Sequence, residues 1–361
     1  MRKLKIAIIF GGCSTEYDIS LSSASSVISH IDKEKYEPVL IGITQTGEWY
    51  IFTGENEKIA NDTWNNPDDC IKAIISPDRE TKGVLILDDN GIQTIKLDAA
   101  LPILHGKNGE DGTIQGLLTL AGIPIVGCNI LASALCMDKD RAHKLAALAG
   151  VRVPKSFVLH CESETESALL QAENLKYPLF VKPVKSGSSF GITKVPNKHD
   201  LSKAIKLAFE HDNEVIVEEN IDGFEVGCAV LGNESLIIGE VDEVELSVGF
   251  FDYKEKYNLE TSKVHVPARI APDKANEIKE KAKVIYKALG CSGFARVDMF
   301  VTPIGDVFFN EINTIPGFTA YSRYPSMLKA IGMTFEQIID EIIKLAIANN
   351  IEKCASNTKE D

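Results

Sequence analysis

With 361 residues the chain is too long for one hydrophobic core, and its 44% hydrophobic and 25% charged residues are those of an ordinary globular protein of two or three domains. A net charge of −14 argues against nucleic acid as a partner, because that binding rests on Lys and Arg neutralising phosphates. It leaves a nucleotide open, since a phosphate pocket needs only a local cluster of cations. The charged start Met1-Arg2-Lys3-Leu4-Lys5 leads into a short apolar run, Ile6 to Phe10, that stops at Gly11-Gly12 with no cleavage-site pattern, so a first strand is expected and not a signal peptide. No apolar stretch approaches the length of a membrane span, and the expected location is the cytoplasm. The eight cysteines stand singly, with no C-x-x-C pair, and read as reduced thiols rather than disulfides or zinc ligands.

In chain order, the first third alternates strand and helix: a strand at Lys5 to Phe10, a helix at Ser20 to Ile31 and a strand at Tyr36 to Ile43. An apolar run from Ala99 to Leu104 then ends in His105-Gly106, and a helix at Thr113 to Leu120 is closed by Gly122. That rhythm implies a parallel sheet with helices on its faces, whose ligands lie beyond the carboxyl ends of the strands, where Gly11-Gly12 and His105-Gly106 stand. Either pair alone reads more simply as a tight turn. From about Leu131 the character changes: a charged helix from Asp138 to Leu148, strands at Leu179 to Lys182, Gly191 to Val195 and Glu214 to Glu218, and a helix at Asp200 to Phe209. The last third reads as a hairpin over Val226 to Glu240 turning at Gly232-Asn233, then a polar stretch from Asp242 to Val266 without periodicity. A helix at Asp273 to Leu289 follows, then strands at Gly293 to Phe300 and Val307 to Ile312, and a helix from about Met333 to Asn349. The expected domains are residues 1–130, 131–220 and 221–350, with a polar tail at 351–361; an aperiodic stretch as long as 242–266 inside a compact domain is expected to be an active-site lid.

Three groups of residues carry chemistry. Lys182-Pro-Val-Lys185-Ser186-Gly187-Ser188-Ser189-Phe190-Gly191 has the small residues and flanking cations of an anion-binding loop, yet fits neither G-x-x-x-x-G-K-[ST] nor G-x-G-x-x-G. Alone, it reads equally well as a solvated turn. Arg296-Val-Asp298 and Asn310-Glu311-Ile-Asn313 fall on two adjacent strands; alternation puts Arg296 with Asp298, and Glu311 with Asn313. If those faces coincide, two carboxylates and an amide oxygen converge, the hard donor set that Mg²⁺ takes when phosphates complete its shell. A salt-bridge network with Arg296 would explain the acids but not Asn313. Glu218-Glu219-Asn220-Ile221, with Glu225 beyond it, would suit an adenine edge and ribose hydroxyls, a weaker signal because glutamates are common at strand ends.

Together these pieces resemble the D-alanine–D-alanine ligase family of the ATP-grasp superfamily, over nearly the whole chain. The resemblance is carried by Phe10-Gly-Gly-x-Ser14-x-Glu16, by His105-Gly-Lys-Asn-Gly-Glu110-Asp-Gly, by Met137-Asp-Lys139 and by the loop at Ser188. Tyr253-Lys-Glu-Lys256-Tyr257, Arg296-Val-Asp298 and Asn310-Glu-Ile-Asn313-Thr-Ile-Pro-Gly317 complete it. It implies a three-domain α/β fold, α+β in part, with an N-terminal Rossmann-like parallel sheet. It further implies ATP held by Lys139, Lys182, Ser188, Ser189, Glu218, Glu219, Asn220, Ile221, Glu225 and Phe300. Asp298, Glu311 and Asn313 would bind two Mg²⁺ ions, with Mn²⁺ as a substitute. Glu16 and His105 would meet the first D-alanine, Ser188 and Tyr257 would bond with Glu16, and Lys256 would reach the γ-phosphate. Arg296 and the N–H of Gly317 would stabilise the tetrahedral intermediate. A homodimer without membrane or nucleic-acid partners is also implied.

The segment Thr319-Ala-Tyr-Ser322-Arg323 bears on the second substrate. D-Alanine–D-alanine ligases usually have leucine or methionine where Arg323 stands; this chain resembles the VanC- and VanG-type ligases of vancomycin resistance, which make D-alanyl-D-serine. A guanidinium there would bond a serine hydroxyl, with Ser322, Phe251 and Asp242 shaping the same pocket, and a site built for a hydroxyl penalises an analogue lacking it. The presence of Lys256-Tyr257 argues against D-lactate. D-Alanine and D-serine are thus the expected substrates, with D-alanine twice as the alternative; a third reading, a non-catalytic ATP-binding regulator on the same fold, predicts missing metal ligands or a missing oxyanion arginine, and both are present.

Overall fold

The computed structural model of the chain describes residues 2–187, 190–246 and 262–357. Ser188, Ser189, Phe251, Lys256 and Tyr257 therefore lie outside the described residues.

The first sheet is built from β1 (Leu4–Gly11), β2 (Tyr36–Ile43), β3 (Trp49–Phe52), β4 (Cys70–Ile75), β5 (Gly83–Asp88), β6 (Gly91–Lys96) and β7 (Ala99–Pro102). Its spatial order is β6-β5-β4-β3-β2-β1-β7. Only β1 pairs in parallel, with β2 and β7; the other pairings are antiparallel. The parallel sheet expected of the first third forms the centre, and Trp49 to Lys96, where no strands were expected, adds an antiparallel meander. Its short strands escaped the alternating strand–helix reading, and β6, an edge strand, is almost wholly exposed. The parallel centre matches its sequence, since the aliphatic run Ile6-Ala7-Ile8-Ile9 is fully buried between helices on both faces. The helices interleaved with this sheet are α1 (Tyr17–His30), which starts three residues before the expected Ser20, and the short α2 (Asn56–Ala60). After β7 come α3 (Thr113–Leu120), α4 (Ile130–Met137) and α5 (Lys139–Leu148), the last two capped by the side chains of Asn129 and Asp138.

The second sheet, order β10-β9-β11-β8, is antiparallel and comprises β8 (Ser156–Leu159), β9 (Leu179–Pro183), β10 (Thr193–Val195) and β11 (Val215–Glu219). Small and aliphatic residues of α6 (Thr165–Leu175) and α7 (Lys198–Phe209) cover one face, with Ala168, Ala172, Leu201, Ala204 and Ile205 packed on Val181 and Val217. The third sheet, order β14-β13-β12-β15-β16, contains β12 (Phe224–Gly232), β13 (Leu236–Leu246), β14 (Ser262–His265), β15 (Phe294–Val301) and β16 (Val307–Asn313). On one face α8 (Pro272–Ala288) buries Ile278, Ala282 and Ile285 against Val226, Val297, Met299 and Phe309. The other face joins α9 (Arg323–Lys329) and α10 (Phe335–Asn357), and Phe335 to Ile343 carry that core on to β1 and α1.

Two expectations need correction here. The stretch taken as a lid from Asp242 to Val266 begins and ends in strand: Glu243 to Leu246 pair with His265 to Ser262, which leaves only residues 247–261 outside the described segments. Asp242 is a fully buried strand residue. The closing helix also runs on to Asn357, into the segment taken as a polar tail.

Candidate active site

Whether the acids of β15 and β16 share a face depends on one residue. Val307 and Phe309 point into the α8 core, and strict alternation would send Glu311 and Asn313 after them. Asp298 pairs with Glu311 but Met299 pairs with Phe309, so Asn310 is an extra residue, a β-bulge. The bulge turns Glu311 and Asn313 to the side of Arg296 and Asp298 and leaves Ile312 in the core. The Asn310 carbonyl accepts a 2.7 Å hydrogen bond from His143 Nε2.

This face lines two cavities. The first, about 520 Å³, lies between the carboxyl ends of the first sheet and the third sheet, and is bordered by Glu16, His105, Arg296, Asn313, Gly317, Ser322 and Arg323. The second, about 480 Å³, lies between the second and third sheets and is bordered by Lys182, Glu218 to Ile221, Glu225 and Phe300. Lys139 and Glu311 border both and stand 3.8 Å apart. Asp298 and Asp242 lie behind the first cavity's lining, reached through arginines.

On the first-sheet side the groups come from loops. Glu16 sits at the start of α1, and its carboxylate fits only because two neighbours are glycine. A Cβ on Gly106 would fall 2.2 Å from Glu16 Oε2, and one on Gly187 would fall 2.8 Å from it. Gly187 thus brings the anion-loop side of the second sheet against Glu16. His105 Nδ1 donates to the Ile315 carbonyl at 2.7 Å and Nε2 accepts from Ser23 Oγ at 3.3 Å, while Ser23 accepts from the Phe318 N–H at 3.2 Å. Burial pushes His105 below its ordinary value, so it stays neutral at pH 7. Glu110 accepts from the N–H groups of Gly106 at 2.9 Å and Ile315 at 2.8 Å, and burial, with the Glu16 charge beside it, pushes its carboxyl up to about 8. Together His105, Ser23 and Glu110 hold the Thr314–Phe318 loop to the first sheet. Sequence reasoning gave Glu110 and Ser23 no role, although Glu110 stands inside a quoted motif.

On the third-sheet side the groups come from strand interiors and from the start of α9. Arg296 donates to both oxygens of Asp298, at 2.8 and 2.7 Å, and Asn313 Nδ2 lies 2.9 Å from Asp298 Oδ2. Arg323, at the start of α9, grips Asp242 with Nε and Nη2 at 2.7 and 2.8 Å and Glu225 with Nη1 at 2.8 Å, and Asp298 Oδ1 is 3.5 Å from Nη2. Its side chain is only 11% exposed, so it is an interior residue and not a surface one. Gly227 makes the room: a Cβ there would come within 2.6 Å of both Arg323 Nη2 and Asp242 Oδ1. Ser322 Oγ accepts from the Thr319 N–H at 3.0 Å and closes the turn after Gly317.

In the second cavity Lys182 and Glu218 pair at 2.5 Å, with His143 Nδ1 3.5 Å from Glu218. Burial opposes the Glu218 charge, but Lys182 and His143 hold its carboxyl below the usual range. Lys139 donates to the Ser186 carbonyl at 2.7 Å, and Glu219 accepts from the Lys155 N–H at 2.9 Å.

A mixed α/β fold of three sheets, with two cavities that meet at a shared lysine and a shared glutamate, is that of an ATP-grasp ligase. The family model described as D-ala D-ala ligase N-terminus matches residues 5–128, and that for the C-terminus matches residues 145–344. The chain belongs to the D-alanine–D-alanine ligase family, enzymes that use ATP and a divalent metal to act on D-amino acids. Among solved structures it is similar to the VanG D-Ala:D-Ser ligase of Enterococcus faecalis, with 58% identity and a TM-score of 0.89 over 96% of this chain and 100% of that one. Among curated relatives it is 46% identical to the vancomycin B-type resistance protein VanB of Enterococcus faecalis, over 96% of this chain and 99% of that protein. It is 44% identical to a D-alanine–D-alanine ligase of Caldicellulosiruptor bescii, over 98% of each. Two curated relatives of different description are thus almost equally similar, and overall identity to them does not choose the second substrate. None of the helices among the described residues is long and apolar enough to cross a membrane.

Proposed function

We propose that the chain joins D-alanine to D-serine through a D-alanyl phosphate, supplying a peptidoglycan precursor of the vancomycin-resistance kind in the cytoplasm. One observation supports the choice of D-serine: a buried arginine, Arg323, is fixed by Asp242 and Glu225 at the wall of the first cavity, where a hydroxyl-bearing amino acid would meet it. The similarity to VanG points the same way.

In this reading the second cavity takes ATP, with Lys139 and Lys182 toward the phosphates, Glu218 to Ile221 along the base, Glu225 by the ribose and Phe300 against the ring. The donor set of the third sheet fits a divalent cation, because Asp298 and Glu311 oppose each other across the ladder and Asn313, whose amide nitrogen donates to Asp298 at 2.9 Å, would keep its oxygen for the ion. Among the described residues no three His, Cys, Asp or Glu side chains form a metal cluster, so phosphate oxygens would complete the shell of two Mg²⁺ ions, or of Mn²⁺ in their place. When bound, the metal neutralises phosphate charge; the chain's own groups do the rest. Glu16 takes the ammonium of the first D-alanine and points its carboxylate toward the shared wall at Lys139 and Glu311. Phosphorylation there gives a carbonyl carbon with a good leaving group. His105, neutral, keeps the Thr314–Phe318 loop in place, so that the Gly317 N–H and Arg296 receive the charge that grows on the oxygen as the second amine attacks. Ser322 shapes the turn beneath that amine. Ser188, Lys256, Tyr257, Ser189 and Phe251 are assigned to closure over the phosphates and the second substrate from their motifs alone. Excluding water is required because an acyl phosphate hydrolyses. The protein acts as a homodimer in this reading.

Supplying ATP and Mg²⁺ with D-alanine alone, or with D-alanine plus D-serine, and identifying the dipeptide by mass tests the proposal. D-Alanyl-D-serine should dominate at neutral pH. Faster formation of D-alanyl-D-alanine would replace this reading with the second one, which has its own support: three of the five N–H donors of Arg323 are already engaged by acids of the protein.

A further inference from the structure

Three thiols meet where the two family regions join. Cys128 ends the N-terminal match, Cys136 lies in α4 between the two matches, and Cys291 precedes β15 in the C-terminal one. Cys136 Sγ and Cys291 Sγ are 3.5 Å apart, and Cys128 also acts on Cys291 but gives its S–H to the Ser292 carbonyl at 3.4 Å. Cys128 and Cys136 are buried, Cys291 is partly buried, and all three are free thiols. Nothing in the ligase reaction requires them.

Their placement gives them a consequence. Cys136 borders the first cavity and stands three residues before Lys139, the cation common to both cavities. Cys291 stands five residues before Arg296. A bond between the two sulfurs needs about 2.05 Å, so they would have to close by roughly 1.5 Å. That draws the end of α4 toward the start of β15, and Lys139, tied at 2.7 Å to the Ser186 carbonyl, shifts with it.

We propose that Cys136 and Cys291 form a redox-sensitive pair through which a hydroperoxide reversibly inhibits the enzyme. The Cys291 sulfur, on the least buried of the three residues, attacks the peroxide, giving a sulfenic acid and releasing one water (or an alcohol from an organic peroxide). Cys136 then attacks that sulfur, expelling a second water and closing the disulfide; the two electrons lost by the thiols reduce the O–O bond. Cys128 is the less favourable resolving thiol because its hydrogen is already committed. The bond to Cys136 and burial outweigh the opposing bond to Cys128 and push the Cys291 thiol up, and burial outweighs the bond to Cys291 and pushes the Cys136 thiol up, so the reaction is slow at neutral pH and accelerates as pH rises.

The test treats the reduced full-length enzyme with hydrogen peroxide, quenches with catalase, blocks free thiols and maps cross-links by mass after non-reducing digestion. A Cys136–Cys291 cross-link is expected, with ATP-dependent phosphate release falling on the order of 10²-fold and returning with dithiothreitol. Cys291→Ser should keep its activity before and after peroxide; Cys291→Ala serves if the serine variant folds poorly. No cross-link in the native enzyme, a cross-link through Cys128, Cys13 or Cys161 instead, or equal loss in Cys291→Ser would each overturn the proposal. The cross-link is read by mass, so its failure is distinct from any error about the second substrate.

Discussion

The first and third sheets supply functional groups in opposite ways. The first offers them from loops beyond its strands: Glu16 follows β1, and His105 and Glu110 follow β7, each bonded to backbone or set among glycines. The third offers Arg296, Asp298, Asp242 and Glu225 from strand interiors, with Arg323 reaching in from the start of α9, and the charges of these largely buried groups are balanced by one another. A buried charge is tolerated when it is paired and hydrogen-bonded, and losing one member strands the rest. Substitutions in the two regions should therefore differ in kind: on the third sheet stability and chemistry are entangled, while at the loops binding can change with the fold intact.

Arg323→Leu gives the largest expected effect and the sharpest form of the contrast. It leaves Asp242 and Glu225 buried without their cation, at a cost of about 3–5 kcal/mol, visible in denaturant unfolding. The surviving enzyme should shift its relative kcat/KM toward D-alanine as second substrate. Stability equal to the parent would show that water reaches these acids; unchanged selectivity would remove Arg323 from the specificity argument.

Glu311→Gln comes next. Glu311 borders both cavities and is part-exposed, so the fold should survive its neutralisation while phosphate release falls by on the order of 10²–10³-fold or more. Near-parental activity with Mg²⁺ would place the cation elsewhere.

Glu110→Gln probes the loop side through pH. The ordinary value of this carboxyl is 4.5 and its folded value is about 8. Between them the folded protein holds a proton that the unfolded chain has released, so each rise in pH favours unfolding until about pH 8, and the stabilisation is fully present only below 4.5. Melting temperature followed from pH 5 to 8 should fall less steeply in Glu110→Gln than in the parent. Parallel curves would mean that Glu110 ionises normally.

The same contrast explains what the sequence made legible. Loop-borne groups sit in short contiguous motifs, and Gly11-Gly12 and His105-Gly106 mark strand ends without any knowledge of tertiary contacts. The strand-borne network joins residues distant in the chain: Arg323 is 81 residues from Asp242 and 98 from Glu225. No local pattern pairs them, and Arg323 alone reads as a surface residue. The convergence of Glu311 with Asp298 turned on the Asn310 bulge, which strict alternation does not show and which reverses the face. The meander from Trp49 to Lys96 went unseen because its strands are short and partly exposed, although Asp89-Asn90-Gly91, with Gly91 at φ 118°, is a hairpin signal between apolar runs.

Gly106→Ala closes the series with the smallest effect and tests the loop side directly. Gly106 has φ 71°, a left-handed conformation that costs an alanine of the order of 1–3 kcal/mol. Its new methyl would also meet Glu16 Oε2 at 2.2 Å. The clashing oxygen is the far end of a side chain, so the carboxylate gives way rather than the backbone, and the methyl takes its place above the first cavity. If that carboxylate receives the ammonium of the first D-alanine, KM for D-alanine at the first site should rise while KM for ATP stays put, because the second cavity is bordered by neither residue. Equal increases in both constants would mean that Glu16 acts through the overall closure of the cleft and not through its own contact with the substrate.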